Sequence, residues 1–202
     1  MPLKIQYSLE LEKQRIKNAI DKLSWYEKLG YKPRFPQNIN PKTDSLEKIY
    51  KALQNEYIEK DYKTISINLA KDFANLEDYF FSNLEKLCGK KINRTFQLIL
   101  TRYGVGGSYS LPNKILYNFE MSYSSINIIL HEIVHLVIEP YILKYQIEQN
   151  KKERVVDLIL KSELIALSNY EMQKRGEKHS NLIDPIFKQY FKAPIEYFFK
   201  KI

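Results

Sequence analysis

Apolar residues recur every three or four positions over most of this chain, and the pattern predicts a protein built mainly from helices. From Ser8 to Leu29, the residues Leu9, Ile16, Ile20, Leu23 and Leu29 recur at helical spacing, and Gly30 suits the position just past a helix end. Pro33, Pro36 and Pro41 make the next stretch a loop. Asp44 and Glu47 read as a capping box for a helix that turns Leu46, Ile49, Tyr50, Leu53 and Tyr57 inward. A further helix carries Ile65, Leu69, Phe73, Leu76, Phe80, Leu84 and Leu87 and stops at Gly89. The pattern then changes. Thr95–Tyr103 and Lys114–Phe119 are β-prone and read as strands, joined by the glycine-rich run Gly104-Val105-Gly106-Gly107-Ser108-Tyr109-Ser110 and Pro112. As a phosphate cradle that run is weak, because no Lys-Ser/Thr pair or helix start follows it.

The segment from Ser124 to Glu139 lacks Gly and Pro, can be capped by Ser124 or Ser125, and meets a helix-stopping ring at Pro140. Ile126, Ile129, Leu130, Ile133, Val134 and Val137 cover most of its circumference, the mark of a buried helix. After the polar run Gln149–Lys152, a second helix is expected from Glu153, with Val155, Val156, Ile159 and Leu160 as its apolar flank. A charged break at Gln173–Lys178 precedes an aromatic, basic segment, Ile186–Phe199, that reads as a last helix. The expected class is α+β: mostly helical, with a small mixed or antiparallel sheet at roughly residues 92–120 leading into the buried helix.

That buried helix carries the chemistry. His131 and His135, two of the three histidines, are four residues apart and so share a face, and Glu132 follows the first. Buried polar groups need partners, and a metal would supply one for all three side chains. The plain alternative is a pair of core histidines bonded to backbone carbonyls. For a third ligand, Glu153 and Asp157 are again one turn apart; the first can bind metal while the second holds a ligand histidine's other N–H. Acids at an ordinary solvated helix N-terminus are the competing explanation. Glu148 and Glu163 stay open as donors, though neither has a carboxylate one turn on.

His131-Glu132-x-x-His135 followed by Glu153 and, one turn later, Asp157 resembles the gluzincin group of zinc metallopeptidases. The resemblance covers Ile128–Asp157. It implies a zincin-like fold, one Zn²⁺ per chain held by His131, His135 and Glu153, Glu132 as general base, and Asp157 as the carboxylate behind a ligand. It also implies a peptide or protein substrate, and an edge strand at Gly106, Gly107, Ser108 and Tyr109 that pairs with it; a plain hairpin turn fits those residues equally well. One position departs: Lys152 precedes Glu153, where the best-known gluzincins carry Asn or another uncharged residue. A metzincin pattern fails at Ile138 and Tyr141, and a deformylase pattern fails because Cys88 lies in Lys86-Leu87-Cys88-Gly89. For the electrophile that steadies an oxyanion, the candidates are His179, Tyr141, Tyr145 and Tyr170.

Length and composition narrow the rest. The 202 residues suit one domain, 1–202, with a helical part at 1–90 and a catalytic core at 91–202. No window of about 18 apolar residues stands out and residues 1–20 look charged and helix-forming, so neither a membrane span nor a signal peptide is expected. The compartment stays open: cytoplasmic, or exported if a leader precedes these residues. A single Cys excludes an intrachain disulfide. The net charge of +8 is spread along the chain among acids, so no nucleic-acid partner is expected. The leading expectation is a zinc-dependent hydrolase, most specifically a peptidase. A catalytically inactive zincin-fold metal- or partner-binding protein comes second, and a helical interaction protein with fortuitous histidines third.

Overall fold

Leu3 and Ile5 alternate with Lys4 and Gln6, and these residues form a strand, β1 (Leu3–Gln6), where the local charge predicts helix. The alternation is only four residues long, and it is pairing with the sheet that decides it. The computed structural model describes residues 3–120, 125–163, 165–166, 170–172 and 174–202.

Ser8 caps α1 (Leu9–Asp21), its Oγ accepting from the Leu11 N–H at 3.1 Å. The helix expected to run on to Leu29 instead breaks at Lys22 and restarts as α2 (Leu23–Lys28), so that Tyr26 can pack on Ala19 and Val105. The cap of α3 (Leu46–Glu56) is Ser45 rather than Asp44; Asp44 turns back to the Asn40 N–H and the Lys48 ammonium. The long helix through Leu87 is likewise two helices, α4 (Glu59–Ala74) and α5 (Glu77–Cys88), broken around Asn75, a poor residue for a helix interior. Gly89 ends α5 at φ 65°, as its position implies.

The sheet has four strands among the described residues: β1, β2 (Phe96–Thr101), β3 (Gly107–Ser110) and β4 (Lys114–Asn118), in the order β1-β2-β4-β3. β2 pairs parallel with both β1 and β4, which explains its almost continuous apolar run. β3 folds back antiparallel on β4, with Tyr109 opposite Ile115, and forms the edge. The glycine-rich connection is therefore a hairpin and a sheet edge at once.

Against this sheet lies α6 (Ser125–Lys144), with Ile129, Leu130, Ile133 and Val134 wholly buried. Ser124, one of the two expected caps, lies outside the described residues. Pro140 does not stop the helix, which runs one more turn to Lys144. Proline cannot donate to the Leu136 carbonyl, and Arg94 Nη1 takes that place at 3.0 Å. From Ile126 to Lys144 the helix is also long and apolar enough to cross a membrane by length and composition, contrary to expectation, but most of that stretch is buried inside the protein. Core burial produces the same hydropathy as lipid.

α7 (Gln149–Lys161) starts four residues before the expected Glu153, so Glu153 stands inside a helix rather than at its solvated start. A 3₁₀ turn (Lys174–His179), α8 (Ser180–Tyr190) and α9 (Ile195–Phe199) replace the single last helix. Arg154 on α7 grips both Asp184 oxygens on α8, fixing one to the other.

α1 is pinned to the sheet by two charged side chains. Glu12 is wholly buried; its Oε1 accepts from the Tyr62 hydroxyl and the Arg102 N–H, both at 2.5 Å, while Oε2 has no hydrogen-bond partner among the described residues. Burial pushes this carboxyl from 4.5 up to about 7, against the pull of those hydrogen bonds, Arg15 and Arg102. The folded state therefore binds this proton more tightly than the unfolded chain does. Its stabilising effect is complete below pH 4.5 and is lost as the pH climbs to about 7. Urea unfolding of wild type and Glu12→Gln across that range should show wild type losing about 3 kcal/mol relative to the variant. A constant difference between the two would refute the assignment.

Candidate metal centre

Helical geometry does most of the assembly. Four residues on one buried helix set His131 and His135 on the same face of α6, and α7 brings Glu153 across to meet them. The Nε2 atoms of the two histidines lie 2.9 Å apart, and Glu153 Oε2 is 3.2 Å from each. Bonds of 2.0–2.1 Å from one tetrahedral zinc would hold its ligand atoms about 3.3 Å apart. The three donors thus form a triangle of the size one ion requires, and the group can hold a metal.

The charges agree with the distances. His131, His135 and Glu153 are 5%, 2% and 5% exposed. Burial raises the Glu153 carboxyl, but hydrogen bonds and charge from His131 and His135 more than reverse that and hold it well below the usual carboxylate range. Burial pushes His135 down to about 4, which keeps it neutral. An ionised carboxylate and a neutral imidazole are what a cation needs. Among the described residues, the buried carboxylates around the triad are Glu132, Glu139, Glu153 and Asp157, and the buried cations near them are Arg15 and Lys152. Arg154 is already matched by Asp184, and burial drives both Glu12 and Glu132 toward the neutral form. The ionised Glu153 among these donors is the charge that a cation there would meet.

His131 is held in a definite orientation. The Tyr170 hydroxyl lies 2.5 Å from Asp157 Oδ1 and 2.7 Å from His131 Nδ1. A carboxylate only accepts, so the single phenolic proton goes to Asp157, and Tyr170 accepts from His131 Nδ1–H. Burial lowers the proton affinity of His131, but hydrogen bonding to Glu153 and the charges of Glu132 and Glu153 raise it overall, so a metal would displace a proton from Nε2. Asp157 thus reaches the ligand by way of a tyrosine. Gln149 Nε2 donates to the other Glu153 oxygen from one turn earlier on α7. The Tyr109 ring stacks on His135 at 4.9 Å between centroids.

Glu132 is 7% exposed and faces β3. A Cβ on Gly107 would come within 2.6 Å of Glu132 Oε1, so the carboxylate occupies the space that a side chain would fill. Burial pushes Glu132 up to about 7, with His131, Lys152 and Arg15 pulling it down and Glu153 adding to the rise. Arg15 reaches this region from α1. Its Nη1 donates to Ser108 Oγ at 3.0 Å, its Nη2 to the Val105 carbonyl at 3.1 Å, and its Nε to the Tyr103 carbonyl at 3.4 Å. The close approach needs Gly104, at φ 79°, where a Cβ would sit 2.3 Å from Arg15 Nε.

The structure sorts the sequence candidates. His131, Glu132, His135, Glu153 and Asp157 come together, with Gly107 and Tyr109 against them. Gly106 accepts the Asn118 N–H just before β3, and Ser108 faces Arg15. His179 is taken up elsewhere, 2.8 Å from exposed Glu148 without hydrogen-bond alignment, and Glu163 is exposed. Tyr141 stacks on Phe199, Tyr145 bonds Glu196, and Tyr170 is committed to Asp157 and His131, so none of the expected electrophiles lies free at the triad. Sequence reasoning missed Arg15, Gln149, Glu139 and the use of Lys152. Gln149 and Glu139 stand one turn from Glu153 and His135, a spacing that could have found them; Arg15 carries no such signal.

Replacing Tyr170 by Phe should weaken zinc binding by about 10- to 100-fold, measured by competition with a chromophoric chelator. Unchanged affinity would mean that Tyr170 does not orient His131.

Comparison with protein-family models, with curated proteins and with solved structures finds no match, so what the centre can bind is read from its own geometry.

Proposed function

We propose that this chain is a zinc-dependent hydrolase, specifically a metallopeptidase of gluzincin type. The observation that carries the reading is the donor triangle, with edges of 2.9–3.2 Å, set beside a buried carboxylate on the same helix. His131, His135 and Glu153 would hold the ion. When bound, zinc supplies Lewis acidity toward a carbonyl oxygen and lowers the pKa of water to about 7.

Glu132 takes the proton from the attacking water and returns it to the departing amide nitrogen. Its environment suits both transfers, since burial raises the carboxyl to about 7, close to working pH. Gly107 leaves the carboxylate room against β3. As the sheet's edge, β3 offers main-chain groups with which an extended peptide can pair. A purely structural ion is the second reading, and the near-complete burial of the three donors favours it. Glu132 favours turnover, because a structural site needs no base.

Metal analysis of purified protein should return about one zinc per chain, lost in His131→Ala and His135→Ala. Wild type should cleave members of a peptide library, while Glu132→Gln keeps its zinc and loses turnover. Zinc-loaded wild type that cleaves nothing would leave the structural reading. Gly107→Ala should displace the Glu132 carboxylate and lower kcat by roughly 100-fold at unchanged zinc content. Wild-type turnover in that variant would show that Glu132 does not work from the position against β3.

A further inference from the structure

The two ligand histidines are held by different means. His131 is tied through Nδ1 to Tyr170, and through it to Asp157. His135 has no such tie: its Nδ1 is buried and has no hydrogen-bond partner among the described residues. A ring left so would be free to turn about its side-chain bonds, and a ligand that can turn binds metal weakly. What lies on His135 is Tyr109, with its ring nearly parallel at 14° and its centroid 4.9 Å away.

Tyr109 is itself fixed at its far end. Its hydroxyl donates to Glu139 Oε2 at 2.7 Å and accepts from Lys152 Nζ at 2.7 Å. Glu139 is one turn beyond His135 on α6, and Lys152 immediately precedes Glu153 on α7. The anchor is therefore built on the same two helices that carry the donors. All three side chains are largely withdrawn from solvent, with Lys152 8% and Glu139 9% exposed.

We propose that Tyr109 is a positioning residue for His135: its flat stack, anchored by Glu139 and Lys152, does for this ligand what a hydrogen bond does for His131. The inference rests on the metal reading above. An imidazole that donates to a cation becomes electron-poor, and an electron-poor ring is drawn to the electron-rich face of a phenol. The stack therefore tightens when the ion is bound. The arrangement also gives a use to the lysine before Glu153, where an uncharged residue would leave Tyr109 tied at one end only. Because Tyr109 belongs to β3, the sheet's edge strand and the metal donors form one mechanical unit.

The test is zinc affinity by chelator competition, together with the visible absorption of the Co²⁺-loaded protein, which reports ligand geometry rather than activity. Tyr109→Leu removes both ring and anchor, and should weaken zinc binding by about 10- to 100-fold and shift the Co²⁺ bands. Tyr109→Phe keeps the ring but frees it, and Lys152→Met frees it from the other side. Each should lower affinity by a smaller factor, and the double variant should add little to either, as coupled partners do. Wild-type affinity and an unshifted Co²⁺ spectrum in folded Tyr109→Leu would overturn the proposal, even if its melting temperature fell. Should Tyr109→Leu fail to fold, the same two readings in Tyr109→Phe and Lys152→Met decide it in the same way. Failure of wild type to bind zinc or Co²⁺ would instead overturn the metal reading on which this one stands.

Discussion

Taking a carboxylate out of water is costly unless something of opposite sign goes with it, and this chain buries four of them within reach of two imidazoles. Lys152 and Arg15 lie among them, and burial moves Glu132 toward its neutral form. With Nε2, Nε2 and Oε2 drawn to within 3.2 Å of one another, the ionised Glu153 and the two imidazoles form a donor set that could hold one metal ion. A chain selected only for stability would be expected to fill such a space with apolar side chains, which are often as good or better there.

The scaffold serves that cavity. α6 is buried on nearly all sides, which fixes its rotation and hence where its polar face looks. Arg94 lets it pass through Pro140 without leaving the Leu136 carbonyl unpaired. On the other side of the centre, α1 sends Glu12 to the end of β2 and Arg15 to the loop before β3, so the hairpin cannot drift from the helix it faces. Arg154 and Asp184 hold α7 in turn. Each of these contacts is a buried or half-buried hydrogen bond to a charged group, the kind that is expensive to leave unmade.

What could be read from the sequence was what is local. His131, Glu132 and His135 share one helix, and Glu153 and Asp157 another, so a single spacing rule exposes each group. The α+β class followed from the change of period after Gly89. The break at Lys22 did not, because packing of Tyr26 on Ala19 and Val105 decides it, whereas the break around Asn75 had a local mark in that residue. β1 was missed since four residues carry too little pattern, and it forms through pairing with β2, more than ninety residues on. Pro140 misled for a related reason: the group that rescues the helix, Arg94, is distant in the chain. Tyr109 was named for its backbone, as part of an edge, while its side chain turns out to lie on a ligand ring. Periodicity reports which face a residue occupies, not which ring it covers.

One cause then accounts for both halves of the proposed chemistry. Exclusion of water strengthens the attraction between Glu153 and whatever cation sits among the donors. The same exclusion raises the proton affinity of Glu132, since its charged form loses hydration and the charges of His131, Lys152 and Arg15 offset only part of that loss. A carboxylate in water would be too weak a base to take a proton near neutral pH, and a fully isolated one would never release it. The glycine at 107 settles the balance by letting the carboxylate lie against backbone rather than in solvent. Depth, which at first sight argues for an inert structural ion, is therefore also the condition under which this glutamate becomes useful.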